Sequence, residues 1–237
     1  MLGAPFFSYS YAPLGSLMTT PSPRNSLLEM VRPRVEEAAW RWLEQAMSAA
    51  PSATLDHLSS TYAQVAARVG SGGLLPSVHT DARFGHWTVA DAARAALLLT
   101  IAEQDGDADA FVSVAVGCYQ RGDSTEQRSW LKSTAILPLP ERLLPTIIDA
   151  CRTNILPLFE AVACENPYPA QHFPERNFNQ LVLKALFNGV ALSRIVALPG
   201  RLNAELTRMA GDYADERRAA GRAVPADIGL AMQTPPK

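Results

Sequence analysis

The 237-residue chain is short of cysteine, of one-signed charge and of long apolar runs, and each shortage excludes a class of function. Its 21 Lys and Arg stand against 23 Asp and Glu, a formal net charge of -2. No basic field is therefore present to hold nucleic acid or an anionic membrane surface, and no nucleic-acid partner is expected. The three cysteines, Cys118, Cys151 and Cys164, are odd in number, widely spaced and set among apolar residues. That pattern argues against a disulfide framework and against a paired-cysteine zinc site, and it reads as buried thiols. The longest apolar run, Ala92 to Ala102, contains Arg94 and falls short of the roughly 18 to 20 residues that a bilayer-crossing helix needs, so no transmembrane segment is expected. The first 23 residues carry no charged side chain and are broken by Pro5, Pro13, Pro21 and Pro23. They lack the basic start and unbroken apolar centre of a signal peptide. Residues 1–26 read as a disordered Pro-rich leader, and the chain reads as cytoplasmic.

Catalytic signatures are scarce as well. There is no His-Glu-x-x-His spacing for zinc and no Gly-x-Ser-x-Gly turn for a serine hydrolase. Gly70, Gly72 and Gly73 follow no strand and lack the Lys and Ser or Thr of a phosphate loop. Asp105, Asp107 and Asp109 look like a turn and helix cap, not the aspartate-rich helix of prenyl diphosphate chemistry. Neither a metal nor a cofactor is expected.

What the chain has is helical periodicity, punctuated by Pro, Gly and short polar caps, with no period-two segment that argues for a strand. The spacing predicts helices over 31–49, 55–69, 88–104, 108–120, from Asp123 with Glu126, 140–153, 155–165, 174–188 and 203–220, with a short one near 193–197. Thr88 and Asp91 mark one start, Gly106 resets the chain, Pro145 is expected to bend the helix that begins at Pro140, and residues 70–86 form the main loop. The fold class is all-α, about nine helices. Antiparallel helix pairs stacked in a HEAT-like right-handed solenoid are slightly favoured, because 143–151 and 155–163 form a tight pair with Asp149 and Arg152 echoing HEAT ladder positions; a compact helical bundle is the alternative. The helical domain spans 27–224, with a flexible tail over 225–237.

Polar chemistry concentrates between Cys164 and Gln180. Pro167, Pro169 and Pro174 stiffen a loop that carries Glu165, Asn166 and His172, and stiffness suits a binding site. A structural corner would use the same residues: Asn166 as a turn starter, Tyr168 and Phe173 packed down, His172 bonded to backbone. In the following helix Asn177, Gln180 and Lys184 share one face, where a solvated surface would ordinarily carry Glu and Lys pairs; amides with one Lys suit a hydroxylated or phosphorylated ligand. Glu175 lies at that helix start, and Asn179, at the edge of the apolar arc, is expected to be buried and to brace the Pro-rich loop. Arg121 and Asp123, at a tight interhelical turn, either cap a helix and pair at the surface or hold an anion at its start.

The runs CYQRGDSTEQ at 118–127, DACRTNILPLFEAVACENPYPAQHFPERNFNQLVLKALFNGV at 149–190 and DYADERRAAGRAVPADI at 212–228 resemble the EboA family. The resemblance covers about Trp40 to Leu230 and is most specific in ENPYPA, HFPE, NFNQ and KALF. It implies an all-helical cytoplasmic protein of the ebo gene cluster. The other members of that cluster look like a TatD-type metal hydrolase, a UbiA-type prenyltransferase, a dehydroquinate-synthase-like cyclase and a sugar-isomerase-like barrel, and they point to a prenylated cyclitol-like product. The family is linked to specialised metabolism and to movement of precursors toward the periplasm, with no reaction assigned to this member.

The leading expectation is a noncatalytic accessory protein that binds a small polar metabolite or another ebo-cluster protein through Glu165, Asn166, His172, Asn177, Gln180, Lys184, Arg121 and Asp123, with Glu175 and Asn179 in support. The alternative is an enzyme acting on a cyclitol or prenylated intermediate, with His172 and Glu165 as acid and base.

Overall fold

The computed structural model describes residues 22–74, 84–104 and 107–233. The leader up to residue 21, residues 75–83 of the main loop, Asp105 with Gly106, and the last four residues lie outside the described residues. Eleven α-helices form the described part, joined by 3-10 turns, and a single isolated bridge between Gly73 and Thr88 is its only extended pairing. The all-α expectation holds, with two helices more than the nine counted from periodicity.

The extra helices arise where proline overrides apolar rhythm. Residues 31–49 are expected as one helix, but Pro33 lacks an N–H and disrupts the turn before it. The chain instead forms α1 (Pro23–Val31), a 3-10 turn over Arg32–Arg34, and α2 (Glu37–Ala49). Cap chemistry sets most other boundaries. Thr54 accepts from the His57 amide and starts α3 (Leu55–Val69), which ends at Gly70 with φ 82°. After α4 (Val89–Gln104), Asp107 caps α5 (Ala108–Arg121), and Asp123 with Glu126 closes a full capping box on α6 (Ser124–Ser133). Next come α7 (Pro140–Ala150), α8 (Leu156–Ala163), the short α9 (Tyr168–His172) inside the Pro-rich stretch, α10 (Glu175–Asn188) closed by Gly189 at φ 69°, and α11 (Ala204–Ala219) capped by Asn203. In place of the short helix near 193–197 there are two 3-10 turns, Leu192–Arg194 and Leu198–Arg201.

Helix α4 packs against α1, α2, α3, α5 and α6. Ala92, Ala93, Ala95, Ala96, Leu97 and Leu98 are all fully buried, as a helix that is apolar on every side requires. Beyond it α6 packs on α8, α8 on α7 and α10, and α10 on α11. The α7–α8 pair forms as expected. The HEAT-like stack finds no further support, since Asp149 with Arg152 is an exposed local ion pair with no ladder partner among the described residues. The chain from Pro225 is seated as far as residue 233: Asp227 Oδ2 accepts from the Leu192 amide at 2.6 Å, and Ile228 and Ala231 are buried.

One charged network crosses this core. Asp91, 1 % exposed, exchanges cap bonds with Thr88 in the first turn of α4. Its carboxylate also accepts from Ser129 Oγ at 2.5 Å and Lys132 Nζ at 2.7 Å, both on α6. Ser129 Oγ in turn accepts from Arg94 Nη1 at 3.0 Å, and Arg94 Nε reaches the Tyr62 carbonyl at 3.1 Å. Burial alone would raise the Asp91 pKa; the Lys132 ammonium, with the Lys132, Ser129 and Thr88 hydrogen bonds, outweighs it and holds the carboxyl below its ordinary 3.8.

Removing one member of such a network strands the others. Asp91→Ala is expected to lower stability by about 3–5 kcal/mol in urea unfolding at pH 7. Since the folded pKa lies below the unfolded one, the Asp91 contribution is complete above about pH 4 and is lost as pH falls through the folded value. The wild type should weaken on acidification through that window, and Asp91→Asn should show a flatter acid limb.

Candidate functional site

The stretch from Cys164 to Phe173 is a corner tied from several sides. Asn166, 5 % exposed, donates from Nδ2 to the Leu131 and Ala161 carbonyls, each at 3.1 Å, while its Oδ1 accepts the Tyr168 amide at 3.0 Å and so starts α9. Arg201 donates to the Ala170 and Phe173 carbonyls at 2.5 and 2.7 Å, and its guanidinium stands 4.5 Å from the Phe178 ring centroid. With Pro167, Pro169 and Pro174 restricting the backbone, little freedom is left.

Glu165 sits at the apex with φ 52°, a left-handed conformation uncommon for a residue with a side chain. Two attachments to one residue hold it there. The Glu165 amide donates to the Arg194 carbonyl at 2.9 Å, and the Arg194 guanidinium returns Nε to Oε1 at 2.8 Å and Nη2 to Oε2 at 3.0 Å. Arg194 also donates from Nη1 to Glu160 Oε1 at 2.6 Å. The two hydrogen bonds to Glu165, and then the one to Glu160, raise the Arg194 pKa further, and the clamp is one cation between two carboxylates.

A cleft of about 180 Å³ opens beside the clamp, walled by His86 and Trp87 before α4, Arg128 and Lys132 on α6, Glu160 on α8, and the corner. Lys132 Nζ also holds the His86 carbonyl at 2.8 Å, so the charged core network reaches the cleft wall. Cys164 lines it too, but burial pushes its thiol up to about 12, so no thiolate nucleophile exists there at neutral pH. Among the described residues no group of three or more His, Cys, Asp or Glu is placed to hold a metal.

The expected site residues divide. Glu165 and Asn166 line this cleft; Asn177, Gln180 and Lys184 line a second one of about 290 Å³ beside Ile148, Cys151 and Arg152. Lys184 is largely committed to structure, donating to the Cys151 and Thr153 carbonyls at 2.7 Å each and so closing the end of α7, three residues short of the expected Thr153. His172 packs on the Tyr168 ring at 4.7 Å between centroids and lines neither cleft, so it does not meet Glu165 as an acid–base pair. Arg121 pairs with Asp56 and Asp123 caps α6, which is the structural of their two readings. Asn179 is buried, but it braces the α11 cap and not the Pro-rich loop. Its amide and that of Asn203 exchange bonds at 3.0 and 3.1 Å, and Asn203 Oδ1 receives the Leu206 amide. Arg201 holds the loop instead. Glu175 is exposed in the first turn of α10, where its charge suits the helix dipole.

Periodicity alone does not find Arg194, Glu160, Arg128 or Lys132. Only Arg128 and Lys132 leave a trace: two cations four residues apart on one helix face, with no acidic residue at the matching spacing on that face.

The family model described as metabolite traffic protein EboA matches residues 24–233. Neither the curated proteins nor the solved structures offer a match.

If Lys184 serves α7 more than a ligand, Lys184→Met should lower stability by about 1–2 kcal/mol in urea unfolding. An unchanged midpoint would show that water satisfies the two carbonyls equally well.

Proposed function

The chain belongs to the EboA family, and on that premise we propose that it is a noncatalytic accessory protein of metabolite traffic that holds a small polar metabolite in the cleft beside the Glu160–Arg194–Glu165 clamp. The clamp supports this reading best. A guanidinium has five donors, and Arg194 uses three on the two carboxylates; Glu160 Oε2 accepts nothing among the described residues. Fixed donors and acceptors at the rim of a small cleft are what recognition of hydroxyl groups requires, and the tied corner keeps them in place before a ligand arrives. The cleft volume equals about six water molecules, enough for one small ring compound. Glu165 and Asn166 contribute from the corner, the first as a wall group and the second as its anchor. In this reading the pathway is a specialised-metabolite one of the ebo type, the ligand is a precursor on its way toward the periplasm, and the protein works from the cytoplasm. Asn177 and Gln180 face a separate cleft open to a partner enzyme.

Purified wild-type protein, Glu160→Ala and the cleft-filling Ala161→Trp are incubated with a small-molecule extract of cells that carry the gene cluster, washed, and their released contents measured by mass spectrometry. A hydroxylated compound is expected on the wild type and on Gln180→Ala, and is expected to be lost from both cleft variants. Equal retention by all four proteins, or none by the wild type, refutes the cleft as the binding site.

A further inference from the structure

Resting on that reading of the cleft, we infer that its ligand is a small hydroxylated molecule bearing an oxyanion, phosphate or carboxylate, which docks on Arg128 and Lys132. Arg128 makes no hydrogen bond and no ion pair among the described residues, although its Nε is buried from solvent in the cleft wall. A guanidinium cannot shed its charge, and its fork of donors matches phosphate and carboxylate geometry. Lys132 follows four residues later on the same face of α6, with two of its three donors on the His86 carbonyl and Asp91. One donor remains for the cleft. Two cations so spaced disfavour each other unless an anion lies between them.

The carboxylates nearby do not fill that place. Glu160 and Glu165 are both engaged by Arg194, and Asp91 by Lys132. Counting Asp91 behind the wall, three cations face three carboxylates, so what the cleft offers is polarity of arrangement and not excess charge: an unpaired cation on the α6 side, and two carboxylates sharing one cation on the other. A molecule with an oxyanion at one end and hydroxyl donors at the other matches both sides. A neutral polyol leaves Arg128 unanswered, and a plain inorganic anion leaves Glu160 unanswered.

Calorimetric titration of the full chain with myo-inositol 1-phosphate, glucuronate and myo-inositol tests this. At least one of the two anions is expected to bind about tenfold or more tightly than myo-inositol, and whichever binds better identifies phosphate or carboxylate as the docked group. Arg128→Gln should remove that preference, about tenfold in affinity, with a nearly unchanged urea midpoint, because the guanidinium makes no hydrogen bond or ion pair among the described residues and Gln keeps part of the stem. Added salt should weaken the anion and spare the polyol. The inference fails if myo-inositol binds as tightly as both anions, if Arg128→Gln keeps the preference, or if none of the three binds. In each of these cases metabolite retention that depends on Glu160 still upholds the cleft, and only its loss overturns both.

Discussion

A buried carboxylate at the start of α4 places a demand that organises much of this molecule. Asp91 is buried, and Lys132, reaching it from α6, together with the Ser129 and Thr88 hydrogen bonds, favours its charged form against that burial. That requirement locks the first turn of the central helix to one face of α6. Once α6 is placed, its capping box at Asp123, its contact with α8 and the direction of Arg128 follow from helix geometry. The cleft is thus bounded by an element whose position is set from the core outward.

Cations have a second, recurring use here, which is to close backbone carbonyls that helices leave open. Lys184 serves Cys151 and Thr153 past the end of α7, and Arg201 serves Ala170 and Phe173 at the end of α9, while Lys132 holds the His86 carbonyl in the turn before α4 and Arg94 adds a second bond to the Tyr62 carbonyl inside α3. A fold rich in short helices leaves many such carbonyls, since each helix end exposes about four. In this Ala- and Leu-rich chain, long basic side chains close them across distances that local caps cannot span. Arg128 departs from that pattern.

Elements with both a start signal and a stop signal are legible from residues alone. Thr54 and Gly70 bracket α3, and Asn188 with Gly189 ends α10 where periodicity places it. Pro33, inside an apolar rhythm, is harder, because rhythm and proline give opposite answers there and the proline prevails. The Cys164–Gln180 stretch stands out in the sequence, yet its polar groups divide between two clefts and several structural bonds. Spacing along a helix shows which residues share a face and not what the face meets. Lys184 reads as a ligand group because nothing local reveals the carbonyls of α7 across from it. The Arg194 clamp joins residues about thirty positions apart, a relation that no local pattern encodes.

The cleft draws its walls from His86 before α4 through α6 and α8 to Arg194 after α10. No short contiguous fragment of the chain contains it, so the ligand proposed for it would bind only the complete native state. By mass action, whatever occupies it weights the folding equilibrium of both halves at once, by about 2.7 kcal/mol at a hundredfold excess over its dissociation constant. If the cleft holds a metabolite as proposed, occupancy and cooperativity of folding are coupled: a cell short of that metabolite would hold a chain more readily opened, and so more readily degraded, than a cell that has it.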